Sequence, residues 1–411
     1  MIYYFNPDTE MALREGPSAF YIAPAPVRQM ARDLSLLPLW LGGAEDKVLV
    51  EERPPSGFME QLQALLPLGG GVPAILTPGQ LHQEPFTPWG WNPTLFAKLR
   101  QWGLRYPDEE AAAPLRYALG NKANLQLLDQ ELIRRGVQSA DRRHFALHST
   151  AEAEELLKRH SQRFAHGFVL KEGYSSSGRG HRWCRPSAAD QPPQQLLNDE
   201  LRGWMSRRFN RGEVIDLEPL YDKVADLALL FQLTPEGEPH FSGYSLFETT
   251  PEGAYRSNLL ASNEAILHHL SQFIDPSLIE EAQLAYLHLF KAQYASLSGP
   301  VGVDMMIYRD AERGTFTLHP DVEVNPRPTM GLIARHLCDR LLPPSVRCPD
   351  SLTGWRFVVE GSASSPDLQQ RHATDLALHP LLRDAYGSPS GGYLPLTPVT
   401  NYTRFRAYLF R

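Results

Sequence analysis

Cysteine is scarce in this chain. Cys184, Cys338 and Cys348 are all it holds, and no two stand as C-x-x-C, so neither a disulfide framework nor a thiolate zinc site is expected and a reducing compartment fits. No apolar run approaches the length of a membrane span. The opening stretch MIYYFNPDTEMALREG carries acids early and has no basic segment ahead of an apolar one, so a cytoplasmic protein without membrane contact is expected. Cation is not in excess either: the formal net charge of -7 argues against a general nucleic-acid binder. The one local basic run, Arg202, Arg207, Arg208 and Arg211, reads as a solvated helix face. The P-loop pattern GxxxxGK[ST] is missing, and no internal repeat is found. What remains is ordinary for a soluble globular protein, 42% hydrophobic and 21% charged, with 411 residues enough for about two or three cores.

MIYYFNP reads as a short strand, residues 25 to 41 as helix and KVLVEE, residues 47 to 52, as strand again, the alternation of an α/β unit with a parallel sheet. VPAILTP follows, then the aromatic turn FTPWGWNP and a helix through Leu104; Trp89 and Trp91 are read as loop anchors in preference to a ligand platform. From Lys122 a helix runs ANLQLLDQELIRRG and stops at Gly136, and another begins at Ser149, which forms a capping-box pattern with Glu152. FVLKEG is a strand, residues 196 to 209 a helix, and VIDLEPL, ADLALLFQL and FSGYSLFETT an antiparallel meander. The longest helical signal, residues 277 to 297, starts behind Asp275 and Pro276. It leads to the strands VGVDMMIYR and TFTLHPDVEVNP, joined by the polar turn DAERG. PPSVRCPD reads as a linker, and residues 351 to 411 as short strands between turns rich in Gly, Pro and Ser.

Four stretches carry chemistry. In LKEGYSSSGRG, residues 170 to 180, a lysine, three hydroxyls and unhindered backbone N–H groups suit a polyphosphate; the alternative is a flexible hairpin tip. On the hairpin, the two-residue period puts Asp321, Glu323 and Asn325 on one face, with Asp304 on the neighbouring strand. Such oxygen ligands suit magnesium, and a solvent-facing strand is the alternative. Arg327, just beyond, is placed to stabilise charge on a transferring phosphoryl group, or else to form a salt bridge with Asp321 or another acid. DLEPLYDKVAD, residues 216 to 226, offers a backbone N–H and C=O to an adenine edge with Glu218 beside it and Asp226 toward a ribose, or is an ordinary strand connection.

Taken in order, Lys122, LKEGYSSSGRG, the EPLYD segment, VGVD and EVNPR resemble the ATP-grasp superfamily over residues 115 to 335. The resemblance implies an α/β (α+β) protein: an ATP-grasp fold behind an N-terminal α/β domain with a parallel sheet. Its divisions are residues 1–112, a small subdomain at 113–213, a metal-bearing subdomain at 214–345 and an extension at 346–411. It also implies that Lys122 and Lys171 contact the phosphates of ATP and that Ser175, Ser176, Ser177 and Gly178 close over them. Glu218, Leu220 and Tyr221 hold adenine, and Asp226 the ribose. Asp304, Glu323 and Asn325 bind magnesium, with manganese as its substitute, and Arg327 faces the reacting phosphate. The implied activity joins a carboxylate to an amine through an acyl phosphate; rival readings are a small-molecule kinase and a non-catalytic ATP-binding regulator.

Two departures stand out. Gly302 occupies a place where many amino-acid-joining relatives have an arginine, and Asp321 one that is usually apolar. No biotin-attachment or glutaminase segment is found. The aromatic, polar segment 243 to 260 makes Tyr255, Arg256 and Asn258 candidates for substrate contact, a surface hairpin being the equal alternative. An apolar face on the first domain leaves a homodimer open.

Overall fold

The computed structural model describes residues 1–16, 21–64, 71–137, 143–175, 180–188, 191–251, 253–310, 314–342, 352 and 354–411. Three sheets organise the chain. The first is parallel, in the order β3-β2-β1-β4, from β1 (Ile2–Tyr4), β2 (Lys47–Leu49), β3 (Ala74–Leu76) and β4 (Phe86–Pro88). It buries Ile2, Val48 and Leu49 between flanking helices, as parallel strands require cover on both faces. The aromatic stretch expected as a turn opens with β4 and only then turns. Trp89 packs on Phe5 at 4.8 Å and Trp91 stacks on Phe96 at 5.1 Å, so both indoles anchor the loop. The helix expected over residues 25 to 41 ends at Asp33, where Leu34 leaves α geometry at φ -104° and ψ 10°, and a short 3-10 turn, Leu37–Trp40, with Pro38 in its first turn, follows.

The second sheet is antiparallel, in the order β5-β8-β6-β7, from β5 (Phe145–Leu147), β6 (Phe168–Glu172), β7 (His181–Cys184) and β8 (Ile215–Pro219). Here the expected meander is corrected: VIDLEPL pairs with β5 and β6 and not with the strand that follows it. Ser149 accepts the Glu152 N–H at 3.1 Å, but Glu152 reaches back to the His148 N–H at 2.7 Å, one residue short of a reciprocal box.

The third sheet begins with β9 (Asp222–Leu233), β10 (Pro239–Thr249), β11 (Tyr255–Leu259), β12 (Gly299–Asp310), β13 (Thr315–Asn325) and β14 (Arg356–Gly361). After the small pair β15 (Leu382–Arg383) and β16 (Pro389–Gly391), it is completed by β17 (Tyr393–Pro395) and β18 (Phe405–Phe410). Its order is β13-β12-β9-β10-β11-β14-β18-β17, so the C-terminal segment extends the same sheet. Helix Ser277–Gln293 packs Tyr286 and Phe290 against Phe231, while helix Met330–Leu341 lies against β10 and β11.

Among the described residues, six helices escaped the sequence reading: Thr9–Glu15, Ser56–Gln63, Pro107–Gly120, Asn263–Leu270, Met330–Leu341 and Ser365–Leu378. Pro107–Gly120 contains Pro114 and runs through the 112/113 division, and Ser365–Leu378 lies where only short strands were expected. The linker reading of residues 343 to 350 falls outside the described residues. Among the described residues no helix is long and apolar enough to cross a membrane.

Candidate functional site

β12 and β13 form a hairpin in which Asp304 lies opposite Glu323 and Gly302 opposite Asn325. Asn325 Nδ2 donates to Asp304 Oδ2 at 3.2 Å. The two-residue alternation expected to carry Asp321 beside them fails. Between Asp304 and Met306 the register jumps from Glu323 to His319, a bulge that delivers Asp321 to a separate cluster with His144 and His319. At Gly302 a β-carbon would meet Thr329 Cγ2 at 2.8 Å, so the N-cap of helix Met330–Leu341 fills the space an arginine would need.

The lysines arrive from two other elements. Asn121 caps the 3-10 turn Lys122–Asn124, and this turn delivers Lys122 Nζ to Glu323 Oε1 at 2.8 Å and to the Ser175 carbonyl oxygen at 2.7 Å. Lys171, on β6, pairs with Glu218 on β8, and its ammonium also faces the Val322 carbonyl oxygen at 3.5 Å. Both ammonium groups are buried, which is tolerable only because each is paired.

Burial, then Glu323 and Asp226, push the Asp304 carboxyl up to about 8 against the pull of Arg327 and Lys122. Burial works the same way on Glu323, but Lys122 outweighs it and holds that carboxyl below its usual range. Two carboxylates and an amide on adjoining strands are a hard, all-oxygen donor set, and the raised Asp304 marks a place short of positive charge. These residues therefore fit a magnesium ion.

Arg327 Nε donates to Glu10 Oε1 at 2.6 Å. Its partner is thus an acid of the N-terminal helix Thr9–Glu15 and not Asp321. Asp226 lies on β9 opposite Met306, held by Lys223 and by Thr249 Oγ1 at 2.9 Å. The Leu220 N–H donates to the Gly167 carbonyl oxygen at 3.1 Å, and Tyr221 packs on Tyr308 and edgewise on His319. Ser175 is buried with its carbonyl on Lys122, while Ser176, Ser177 and Gly178 lie outside the described residues. Tyr255, Arg256 and Asn258 sit on β11, separated from β12 by β9 and β10. Tyr255 bonds Asn258, Asn258 bonds Ser245 under helix Met330–Leu341, and Arg256 is exposed.

Several residues at the site went unseen in the sequence. Glu172 is buried between Arg14, at 3.0 Å, and Arg208, at 2.8 Å, so Arg208 is not the solvated cation expected. His181 is held neutral, its pKa driven down to about 3 by burial and then by Lys122 and Lys171. None of these has a local motif; only Glu10 and Arg14, in a polar helix directly after β1, carried any signal.

A cavity of about 30 Å³ is lined by Glu10, Arg116, Tyr174, Glu323, Asn325 and Arg327. A much larger one, about 1080 Å³, opens beyond β1 and β2 between Asn6, Asp8, Arg28, Arg32, Glu51 and Lys98. It lies past the carboxyl ends of parallel strands, where open α/β sheets hold ligands. Glu323, Asn325 and Arg327 line the smaller cavity, and the larger offers room.

No family model matches the chain, and no curated protein does. Among solved structures, N5-carboxyaminoimidazole synthetase from Staphylococcus aureus is 11% identical and aligns over 100% of this chain and 92% of its own, with a TM-score of 0.47. N5-carboxyaminoimidazole ribonucleotide synthetase from Thermus thermophilus is 16% identical over 100% and 93%, also at 0.47. The biotin carboxylase domain dimer of Hydrogenobacter thermophilus 2-oxoglutarate carboxylase, in complex with MgADP, ADP and bicarbonate, is 12% identical over 100% and 86%, at 0.46. At that level of overlap neither chemistry nor substrate follows from the likeness.

Proposed function

We propose that the protein is an ATP- and magnesium-dependent ligase of ATP-grasp type that joins a carboxylate to an amine, the carboxylate or amine being an amino acid or a short peptide. The observation that carries this reading is the convergence of Lys122, Asp304, Glu323 and Asn325 on one hairpin edge, with Lys171 and Arg327 beside it. Cations for a polyphosphate and oxygens for its counter-ion meet there, and neither a Ser-His-Asp nor a Cys-His set is required, because nucleophile and electrophile both come from the substrates.

In this reading Lys122 and Lys171 hold the phosphates of ATP. Asp304, Glu323 and Asn325 hold magnesium, which when bound neutralises charge on the phosphates. The substrate carboxylate attacks the γ-phosphorus, the bond to ADP breaks, and an acyl phosphate forms. Arg327, positioned by Glu10, faces the charge developing on the transferred group. The amine then attacks the acyl carbon, phosphate leaves with the bonding pair, and the amine proton passes to solvent or base. The carboxylate and amine enter through the space beyond β1 and β2.

ADP release measured across a panel of carboxylate and amine pairs tests this. ADP formed only with both partners, together with an amide product, supports the ligase. A stable phosphate ester formed without an amine would make it a kinase, and ATP binding without substrate-dependent turnover would make it a regulator.

A further inference from the structure

Between β13 and the second sheet lies a cluster whose three central residues, His144, His319 and Asp321, the proposed ligase chemistry does not use. His144, immediately before β5, faces His319 of β13 edge to face, with ring centroids 5.4 Å apart. Asp321 reaches both rings: its Oδ1 stands 3.3 Å from His319 Nδ1 and 3.7 Å from His144 Nε2. All three side chains are fully buried. Yet neither oxygen of Asp321 and neither ring nitrogen of His319 makes an aligned hydrogen bond. Against the burial of Asp321 the two imidazoles hold its carboxyl well below the usual range, but they leave its lone pairs without an aligned donor.

The far sides of both rings are turned to acids. His144 Nδ1 lies 3.0 Å from Asp216 Oδ2, and His319 Nε2 lies 3.1 Å from Glu218 Oε1. Each histidine thus has a carboxylate behind it and Asp321 in front, the arrangement by which metal-ligating imidazoles are oriented. The spacing agrees: two ligands at about 2.0–2.1 Å from one tetrahedral zinc ion stand about 3.3–3.4 Å apart. Charge agrees as well. Among the described residues, Asp129, Asp216, Glu218 and Asp321 are buried here against Arg143, Lys171 and His144, whose ring, against the opposing effect of burial, Asp216 and Asp321 keep protonated, so negative charge is still in excess.

We propose that His144 Nε2, His319 Nδ1 and Asp321 Oδ1 bind one divalent transition-metal ion, zinc before others, with Asp216 and Glu218 orienting the two imidazoles. The Asp321 carbonyl oxygen accepts the His144 Nε2–H at 3.0 Å; metal binding would displace that proton and leave the oxygen as a fourth donor. This mixed nitrogen and oxygen set selects differently from the all-oxygen set of Asp304, Glu323 and Asn325. The ion pins β13 to the second sheet, and through Glu218 it fixes the partner of Lys171. The inference stands whether or not the chain is a ligase.

The full chain, purified without metal affinity, exposed to zinc and desalted, is analysed for bound metal by plasma mass spectrometry. Wild type is expected to keep about one zinc per chain, Asp304→Asn the same, and Asp321→Asn and His319→Gln less than about a tenth of that. Cobalt should give visible d–d absorption in wild type and none in the latter two. A chelator should lower the melting temperature of wild type and leave that of Asp321→Asn unmoved. Wild-type protein that keeps neither zinc nor cobalt, and melts alike with and without chelator, overturns the proposal whether or not the variants fold. Equal zinc in wild type and a folded Asp321→Asn does the same.

Discussion

Lys122 Nζ and Glu323 Oε1 lie 2.8 Å apart across a sequence separation of 201 residues. This pair closes the site: one partner rides on a capped turn, the other on a hairpin strand. Glu323→Ala should therefore lower ADP release by at least about 100-fold while the circular dichroism spectrum is unchanged. Unaltered ADP release in that variant would contradict the metal assignment.

Arg327 and Glu10 tie the hairpin to the N-terminal helix through a largely buried pair. Replacing one partner leaves the other desolvated, so Arg327→Met and Glu10→Gln should each destabilise, and the double variant by less than their sum. A coupling of about 1–2 kcal/mol from urea unfolding is expected. Strict additivity would mean that the pair is not formed in solution.

The Asp304 carboxyl keeps its proton to about pH 8 when folded, whereas the unfolded side chain releases it near 3.8. Between those values the folded state binds the extra proton, so this group makes stability fall as pH rises, and the loss levels off above pH 8. Melting curves in chelator should show wild type losing ground to Asp304→Asn from pH 5 to pH 8, and magnesium should restore wild type most at the high end. Two parallel lines would rule out the raised carboxyl.

Gly173 matters through its neighbour. A β-carbon there would meet Asn121 Oδ1 at 2.4 Å, and that oxygen caps the turn of Lys122 by accepting the Ala123 N–H at 3.0 Å. Gly173→Ala should cost about 1–3 kcal/mol of stability and raise the KM for ATP, with a smaller effect on kcat. A variant with native KM would show that Lys122 does not depend on this cap.

Much of the hairpin was legible. Alternation in VGVDMMIYR and DVEVNP, a polar turn between them and Pro326 behind set two strands side by side and so place Asp304 and Glu323 on neighbouring strands, although the register at that turn alone would put Asp304 opposite Asp321. The bulge did not follow. Nothing local in HPDVEV says that residues 320 to 322 crowd opposite Met305, since the partners that hold Asp321 and His319 come from β8 and the start of β5. VIDLEPL misled for a related reason: its strand character was plain, but which sheet receives it depends on Phe145 and Phe168, far away in the chain. Pro114 hid a helix by breaking its pattern, although the acids at Asp108, Glu109 and Glu110 mark its first turn.

By itself, then, the amino-acid order determined the elements whose signals are local: the parallel unit at the N-terminus, the long helix behind Pro276, the hairpin, and the residue types able to hold phosphate and a hard cation. Tertiary structure alone decided which charges meet. Lys122 goes to Glu323, Lys171 to Glu218, Arg327 to Glu10 and Arg208 to Glu172 because burial makes an unpaired charge costly, and the partner that relieves it is set by where three sheets converge.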